Sequence, residues 1–512
     1  MKRRDLLLAL PGLTALGGAQ AKPADARAAA ATAQRLAANP LMTPFIGVTD
    51  TTGDRHTPRL ASTGLWPAAL SGRFYRNGPA LFERAGQRYH HWFDGDGMVQ
   101  QFSLNGGQIS HRGRLVQTSK LKAEREAGRF LFDALGTTVP GGPPITGADS
   151  VNTANTNALE HAGRVLAMWE GGSAYALDPA DLSTQGPVTW GKDLAGLPFT
   201  AHPKVDAQGN LWNIGTQGPH MLVWQIGPDG QLRSFQQGKS PYPGGMVHDM
   251  AVTERWIVVP LPPVKLDFGS PVADGPRRFA LEAGQPLRIL VMDKADIKKQ
   301  RVFELPAQMV FHVGNAHEEA DGTVVLSFVA APDASFLDQG AVELMAGKPV
   351  TSSESRLQIA RLDMGSGRGR VQTEVLPADV EFPRMDPRRI GKSAAEAGQW
   401  LLCAAGAAKL ASVENANSFG IFSAVQMVHV NSGRTQRWDY GPQVLAEEHI
   451  LIPKPGRNGE LDAWVLGTTF DSRLQATVLN LLDAAHLSDG PIAQATLSYV
   501  LPLGFHGNFT AA

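Results

Sequence analysis

The chain of 512 residues contains a single cysteine, Cys403. One thiol cannot form an intrachain disulfide or a cysteine-cluster metal site. The residue lies in the apolar run Trp-Leu-Leu-Cys-Ala-Ala, which predicts a buried core thiol in a strand. Disulfide-stapled scaffolds and zinc ribbons are therefore excluded.

Excess charge of either sign is also missing. The 47 Lys and Arg residues nearly balance the 48 Asp and Glu residues, so the formal net charge is −1. Such a balance leaves no electrostatic footprint for nucleic acids or anionic lipids. We therefore predict that the protein binds no nucleic acid.

Several common catalytic motifs are absent. Gly-Lys-Ser occurs twice, but the upstream glycine that a phosphate-binding loop requires is replaced by Arg233 in one case and Asp386 in the other. His312 and His317 do not form the His-Glu-x-x-His pattern of zinc proteases. The Gly-x-Ser-x-Gly motif of hydrolases is missing as well.

The first residues predict an export signal. Met-Lys-Arg-Arg-Asp precedes a mostly apolar run at 6–16, and Ala-Gln-Ala at 19–21 matches a cleavage site. The run is shorter than the ~20 residues that span a bilayer. Arg3 and Arg4 indicate the twin-arginine type. We predict a signal peptide at 1–21 and a location in the bacterial periplasm.

The rest of the chain has the pattern of an all-β protein. Residues 22–44 are rich in Ala and predict a linker, with a short surface helix as the alternative. Residues 45–512 form one domain of short apolar runs separated by turns, in keeping with 55 Gly and 35 Pro. Segments 121–133 and 334–346 predict helical insertions. The pattern allows a propeller, a sandwich or a large barrel, and it contains no WD or kelch repeat.

Four histidines stand at the ends of apolar runs, in the segments Phe-Thr-Ala-His-Pro-Lys, Met-Val-His-Asp-Met, Phe-His-Val-Gly and Gly-Phe-His-Gly. These histidines are His202, His248, His312 and His506. Imidazole suits Fe, Cu, Ni or Zn, and four neutral rings leave two positions of an octahedral metal free. A single histidine beside an apolar run is more often structural. The four meet only if the fold brings distant strand ends together, as the axis of a propeller does.

Two further motifs complete a family pattern. They are Gly-Arg-Phe-Tyr-Arg-Asn-Gly-Pro at 72–79 and Tyr-His-His-Trp-Phe-Asp-Gly-Asp-Gly-Met at 89–98. Together with the four histidine segments, they closely resemble the carotenoid cleavage oxygenase family over roughly residues 45–510. The resemblance implies a seven-bladed β-propeller, with helical insertions capping the active-site face. It also implies an axial Fe(II) held by the four histidines.

The resemblance further implies residues around the iron. Three glutamates accept hydrogen bonds from ligand imidazoles, and they match Glu170, Glu381 and Glu448, with Glu447 as an adjacent rival for the last. A carboxylate on the far ring nitrogen fixes the tautomer and orients the ring. Thr156 matches a position whose side chain crowds one open metal site and leaves the other for O2.

The substrate is predicted from two positions. Members of this family cleave a C=C bond of carotenoids, apocarotenoids or stilbenes with O2 into two carbonyl products. Stilbene cleavers resemble one another in carrying a Lys and a Tyr that bind the phenol, where this chain has Trp169 and Leu115. A buried phenol without a partner costs about 1–3 kcal/mol. We therefore expect an apolar polyene, in a tunnel lined by Trp169 and Phe311, and keep a stilbene-type substrate as the alternative.

Other readings remain open. A non-catalytic apolar-ligand binder would hold no near-stoichiometric iron, and a metal-dependent hydrolase would hold Zn and work without O2. We predict a monomer with a possible peripheral membrane contact. The apolar residues at 131–135 are one candidate for that contact, and a buried helix face is an equally good interpretation of them.

Overall fold

The computed structural model describes residues 26–512, apart from 243–244, 267–270, 273–274, 277–278, 283, 351, 373–376, 378 and 407–420. The predicted signal peptide at 1–21 lies outside the described residues. The α-helices are α1 (Ala26–Ala38), α2 (Ser119–Ala127) and α3 (Ala341–Met345). Single 3-10 turns are at Pro40–Phe45, Trp92–Asp94, Ala148–Ser150, Lys192–Leu194, Pro387–Arg389 and Ala484–Asp489, and a π turn is at Phe336–Gly340.

Strands make up most of the described chain. In order they are β1 (Arg55–Thr57), β2 (Ala61–Gly64), β3 (Gly72–Leu81), β4 (Glu83–Arg84), β5 (Gln87–Arg88), β6 (Asp96–Asn105), β7 (Gln108–Leu115), β8 (Asn157–His161), β9 (Arg164–Met168), β10 (Tyr175–Leu177), β11 (Thr184–Pro187), β12 (Lys204–Val205), β13 (Leu211–Gln217), β14 (His220–Ile226), β15 (Leu232–Lys239), β16 (Ala251–Val252), β17 (Trp256–Leu261), β18 (Val264–Leu266), β19 (Pro271–Val272), β20 (Gly275–Pro276), β21 (Phe279–Leu281), β22 (Leu287–Asp293), β23 (Gln300–Leu305), β24 (Met309–Glu318), β25 (Thr323–Ala331), β26 (Arg356–Asp363), β27 (Arg368–Gln372), β28 (Val380–Arg384), β29 (Trp400–Ala405), β30 (Ala424–His429), β31 (Thr435–Asp439), β32 (Val444–Pro453), β33 (Ala463–Asp471), β34 (Ala476–Asp483), β35 (Ala493–Thr496) and β36 (His506–Ala511).

These strands form a seven-bladed propeller, which confirms the fold that the resemblance implied. Within the described residues, the blades from inner to outer strand are β36-β3-β6-β7-β1, β8 to β11, β12 to β15, β16-β17-β22-β23, β24 to β27, β28 to β31, and β32-β33-β34-β35-β2. We number them blades 1 to 7. All pairings inside the blades are antiparallel. Innermost strands of neighbouring blades contact one another around much of the axis, as in the pairs β36 and β8, β16 and β24, and β24 and β28.

Two seams close the ring. In blade 1 the C-terminal strand β36 pairs with β3 near the N-terminus, with Asn77 opposite His506. In blade 7 the early strand β2 adds to the outer edge of β35. Strands from both ends of the chain therefore complete blades 1 and 7. The closed ring leaves only short, protected strand edges.

The hydrophobic core lies between the blades. Phe74 and Phe102 of blade 1 pack with Leu466 and Leu479 of blade 7, and equivalent clusters fill the other junctions. Sheets covered on both faces contain strands that are buried along their whole length, such as β33. Cys403 is fully buried in β29, as its apolar run predicts.

Within the predicted linker at 22–44, the described residues begin with α1, the short helix that was the predicted alternative, and continue as a segment docked on the propeller. Leu36, Met42 and Phe45 are at most 1% exposed and pack in one cluster with Leu445 and Phe470 of blade 7. Burial of these apolar side chains is favourable by roughly 1.5–3 kcal/mol each, which explains why the segment lies on the propeller.

Helical insertions lie on one face of the ring, as the resemblance implied. Thr118 caps α2 by accepting the Leu121 N–H at 3.1 Å, and Gly128 ends the helix at a φ of +64°. Helix α2 thus ends six residues before the predicted boundary at 133. The predicted helical segment at 334–346 is confirmed, with a π turn at Phe336–Gly340 followed directly by α3. Among the described helices, none has the length and apolarity to cross a membrane.

The docked N-terminal segment can be tested by truncating Phe45, whose ring centroid lies 5.4 Å from that of Trp92. We expect Phe45→Ala to lose about 3–5 kcal/mol of stability, because the change leaves a cavity in a dry core. The adjacent Ile46→Ala is the control, since Ile46 is 46% exposed. Urea unfolding midpoints check this, and equal midpoints for the two variants would show that the segment is not docked.

Candidate metal centre

Each of the seven innermost strands brings one polar side chain to the axis. These residues stand just before a strand, at its start or in its first half. In blade order they are His506, Thr156, His202, His248, His312, Glu381 and Glu448. Innermost strands run in the same direction along the axis, so their first halves lie at the same end of the ring. The fold therefore collects residues that are up to 350 positions apart (Thr156 to His506).

The four histidines meet, as predicted. The Nε2 atoms of His202 and His248 are 3.0 Å apart, those of His248 and His312 are 3.1 Å apart, and those of His312 and His506 are 3.1 Å apart. All four candidate ligand atoms lie within 4.8 Å of one another, and all four rings are buried. Within the described part of the chain, this is the group of histidine, cysteine or acidic residues with metal-binding geometry.

The spacing of the nitrogens fits a transition metal. Ligand nitrogens about 2.1 Å from a metal, at right angles to one another, are about 3 Å apart. The observed distances of 3.0 and 3.1 Å match this value. Four nitrogen donors suit Fe, Co, Ni, Cu or Zn and leave two octahedral positions free. The site can therefore hold a metal and still bind small molecules to it.

The three predicted glutamates each lie behind a different ligand. The Nδ1 atom of His312 donates to Glu381 Oε2 at 2.6 Å, and that of His506 donates to Glu448 Oε1 at 2.9 Å. The Nδ1 atom of His248 lies 3.0 Å from Glu170 Oε1. In His312 and His506 these hydrogen bonds place the ring proton on Nδ1 and leave the Nε2 lone pair for a metal.

The choice between Glu447 and Glu448 is decided by their partners. Glu448 binds His506, while Glu447 forms a buried ion pair with Arg76 and accepts hydrogen bonds from Thr468 and the Gly504 N–H. These partners assign Glu448 to the ligand ring and Glu447 to Arg76.

Arg384 is a residue that sequence reasoning missed. Its guanidinium contacts both oxygens of Glu448, at 2.8 and 2.9 Å, and donates to the Gly507 carbonyl at 2.7 Å. Burial acts to raise the pKa of Glu448, but Arg384 and His506 hold it well below its usual range. The carboxylate is therefore ionised at neutral pH. The sequence feature that could have identified Arg384 is the Glu-Phe-Pro-Arg segment, because that segment also contains Glu381.

Burial also prepares two ligands for metal binding. It lowers the pKa of His506 to about 3 and that of His202 well below its usual value, and neighbouring histidines add to the effect. Both rings are neutral at physiological pH. Metal ligands must be deprotonated, so no proton has to be displaced from them.

The centre opens into a large cavity of about 1790 Å³. Its lining includes the predicted residues Thr156, Glu170, Trp169 and Phe311. Thr156 donates from its hydroxyl to Asn155 Oδ1 at 3.2 Å. Residues from the helical insertions, including Lys120, Phe336 and Leu337, also line the cavity.

Leu115 does not reach this cavity, contrary to the prediction that it contacts substrate. Its side chain is 2% exposed and packs in a cluster with Tyr89, Leu121 and Phe130. The apolar segment at 131–135 is neither a helix nor an exposed patch, because Phe132 is only 8% exposed. Asp133, Ala134 and Leu135 of that segment line the cavity instead.

Aromatic rings surround the metal centre on the cavity side. The Phe311 ring centroid is 5.2 Å from that of His248, and the Phe382 centroid is 5.1 Å from His312 and 5.3 Å from His506. Phe505, beside a ligand in sequence, packs 5.0 Å from Phe93. Sequence reasoning identified only Phe311, although Phe93 and Phe505 stand in the motifs that carry the resemblance.

Phe382 also marks local strain. Its φ is +55°, a conformation that is unfavourable for a bulky side chain, and the pairing of β28 with β29 shifts register between Glu381 and Arg384. The Phe382 N–H donates to Glu381 Oε2 at 2.6 Å. The strained bulge thus holds the carboxylate that orients His312, as such strain often does at functional sites.

The fold and the site together define a propeller with a buried four-histidine metal centre on its axis. The family model described as retinal pigment epithelial membrane protein matches residues 49–511. Over 476 residues the chain is 28% identical to the apocarotenoid-15,15'-oxygenase of Synechocystis, which covers 87% of this chain and 91% of that protein. The lignostilbene-α,β-dioxygenase isozyme III of Sphingomonas paucimobilis is 29% identical over 470 residues, with 87% and 92% covered.

Solved structures agree with these sequence matches. A lignostilbene dioxygenase from Pseudomonas brassicacearum superposes with a TM-score of 0.78 at 27% identity, covering 90% of this chain and 96% of that one. The cobalt-substituted apocarotenoid oxygenase of Synechocystis has the same fold, with a TM-score of 0.80 and 93% and 99% of the chains covered. The chain belongs to the carotenoid cleavage oxygenase family.

The metal centre can be tested with two histidines of the same strand. We expect His312→Ala to abolish stoichiometric metal binding, because the ring supplies one of four ligands and faces two others. His317→Ala, in the same strand but outside the cluster, should bind metal as the unaltered chain does. Elemental analysis after anaerobic iron loading checks both. Iron retained by His312→Ala would contradict the assignment.

Proposed function

We propose that this protein is an Fe(II)-dependent dioxygenase that cleaves a C=C bond of a carotenoid or apocarotenoid with O2, giving two carbonyl products. The observation that carries the proposal is the four-histidine centre at the end of a large, aromatic-lined cavity. A bound Fe(II) would supply the activation of O2 and of the alkene that the side chains cannot provide.

The chain's own residues have supporting tasks. The histidines and glutamates hold the metal position in a buried, fixed geometry. Phe311 and Phe382, beside three of the ligand rings, provide apolar surfaces against which a flat conjugated chain can pack. We assign Thr156 the task of crowding one of the two remaining metal positions. No side chain has to act as general base, because O2 supplies both carbonyl oxygens.

The substrate class rests on size and polarity. The cavity volume of about 1790 Å³ exceeds the ~300–1,000 Å³ that is usual for small-ligand pockets, and a long polyene would make use of it. Trp169, which lines the cavity, stands where stilbene cleavers carry a phenol-binding Lys. Leu115 carries no weight in this argument, because it lies in the core.

A stilbene or phenylpropanoid substrate is the second candidate. The chain is 29% identical to a lignostilbene dioxygenase and 28% identical to an isoeugenol monooxygenase of Pseudomonas putida. These identities nearly equal the 28% identity to the apocarotenoid oxygenase, and they favour this second candidate. The intact ligand set argues against a non-catalytic binder, since retained and perturbed polar groups usually signal activity. A zinc hydrolase is disfavoured because the two glutamates assigned to the axis, Glu381 and Glu448, already accept hydrogen bonds from the ligand rings of His312 and His506.

Product analysis tests the proposal. We expect the iron-loaded protein to consume O2 with an apocarotenoid and to give two carbonyl products, each labelled when 18O2 is supplied. Turnover should be greater with apocarotenoids than with hydroxystilbenes, by about fivefold to a hundredfold, if one unpaired phenol is penalised by about 1–3 kcal/mol. Mass spectrometry of both product sets is the measurement, with His312→Ala as the inactive control. Preference for hydroxystilbenes would favour the second candidate, and O2-independent turnover would contradict both.

We further propose export to the periplasm as a folded monomer, with the cofactor loaded beforehand and with peripheral membrane contact during substrate uptake. The support is the signal-like pattern at 1–21 and the apolar nature of the substrate. Replacing Arg3 and Arg4 by Lys should keep the protein in the cytoplasm, because the twin-arginine pair is the export signal. Fractionation of a bacterial host is the measurement, and unchanged export would show that the pair is not used.

A further inference from the structure

One buried carboxylate at the centre is not among the three glutamates. Asp249 directly follows His248 and is 4% exposed. Its Oδ1 accepts hydrogen bonds from the Lys204 ammonium at 2.8 Å and from the Met250 N–H at 2.7 Å. Its Oδ2 accepts the Val313 N–H at 2.8 Å. Both oxygens are therefore used, and the partners come from different blades.

These partners stand beside metal ligands. Lys204 begins β12 two residues after His202, and Val313 follows His312 in β24. The pairing of β24 with β25 shifts register on both sides of Val313. An innermost strand has one edge without a neighbouring strand, so an N–H at that edge needs another acceptor. The Asp249 carboxylate is that acceptor, and it joins blades 3, 4 and 5 at their ligand-bearing ends.

Among the described residues, no glutamate lies behind His202, in contrast to the other three ligands. Its Nδ1 lies 3.9 Å from Asp249 Oδ1, which is beyond hydrogen-bond distance, because Lys204 and the Met250 N–H already occupy that oxygen. The position of His202 is therefore set through the chain that connects it to Lys204. Asp249 fixes this short segment through its ion pair with Lys204. The Lys204 side chain is 14% exposed and the Asp249 side chain is 3% exposed.

The balance of charges around the centre also indicates a role for Asp249. Four carboxylates surround the four rings, and two of them contact a side-chain cation, Lys204 or Arg384. A bound divalent ion would bring the total to neutrality. Without the Asp249 charge, the Lys204 ammonium would stand close to the metal with no carboxylate to offset it, and metal binding would weaken.

We infer that Asp249 is a positioning residue of the metal centre: it sets the spacing of His202, His248 and His312 and offsets the charge of Lys204. The inference rests on the proposed function only in requiring that a divalent metal binds the four histidines. It does not require that the protein cleaves a polyene.

The test compares Asp249→Asn with Asp471→Asn. Asp471 is a matched control, because it is also largely buried, accepts the backbone N–H of Arg473 at 2.9 Å and pairs with that guanidinium, far along the chain from any ligand. An amide at 249 cannot accept from both Lys204 and Val313, and it carries no charge. We expect Asp249→Asn to weaken Co(II) binding by about tenfold to a hundredfold, as loss of groups that orient metal ligands does elsewhere.

Co(II) titration of the full-length apoprotein, followed by its ligand-field absorption, gives both affinity and coordination geometry. We expect the absorption of Asp249→Asn to change and that of Asp471→Asn to match the unaltered protein, while thermal unfolding without metal is similar for the two variants. Unaltered affinity and spectrum for Asp249→Asn would overturn the inference, as would equal losses in both variants or no Co(II) binding by the unaltered protein. Cleavage assays play no part in this result, so the proposed function can fail separately.

Discussion

The structure depends on holding four imidazole nitrogens within 4.8 Å of one another in a buried site, with neighbouring nitrogens 3.0 to 3.1 Å apart. Lone pairs at that distance repel unless a cation lies between them, so the apoprotein must be stabilised by other contacts. The contacts that do this are carboxylates near the rings, and three of these carboxylates are fixed by further bonds. Glu448 is held by Arg384, Glu381 by the Phe382 N–H, and Asp249 by two neighbouring blades. For Glu170, whose side chain is 31% exposed, the described residues provide no such further bond.

The propeller makes this arrangement possible because it brings seven strand starts to one axis. The carboxylate contacts also cross blade boundaries. Glu381 of blade 6 binds His312 of blade 5, and Glu448 of blade 7 binds His506 of blade 1. The seam between β3 and β36 lies beside His506, so closure of the ring and completion of the centre are linked. Metal binding should accordingly stabilise the closed ring, because a ligand that binds only the folded state shifts the folding equilibrium.

Much of the centre could be predicted from the sequence, because the ligands stand in long motifs whose order matches one family. Composition and periodicity alone left a propeller, a sandwich and a barrel open. What failed was substrate contact at Leu115, since the direction of a strand residue depends on packing with Tyr89 and Phe130, which are distant in the chain. The roles of Phe382 and Asp249 were also out of reach. One depends on a bulge with positive φ, and the other on partners from two other blades.

Anomalous diffraction at the iron edge, on crystals of the iron-loaded protein, would locate the metal without reference to activity. We expect one strong peak per chain at about 2.1 Å from the Nε2 atoms of His202, His248, His312 and His506, at the inner end of the aromatic cavity. A peak at another position, or occupied density at the four histidines without an iron signal, would contradict this expectation.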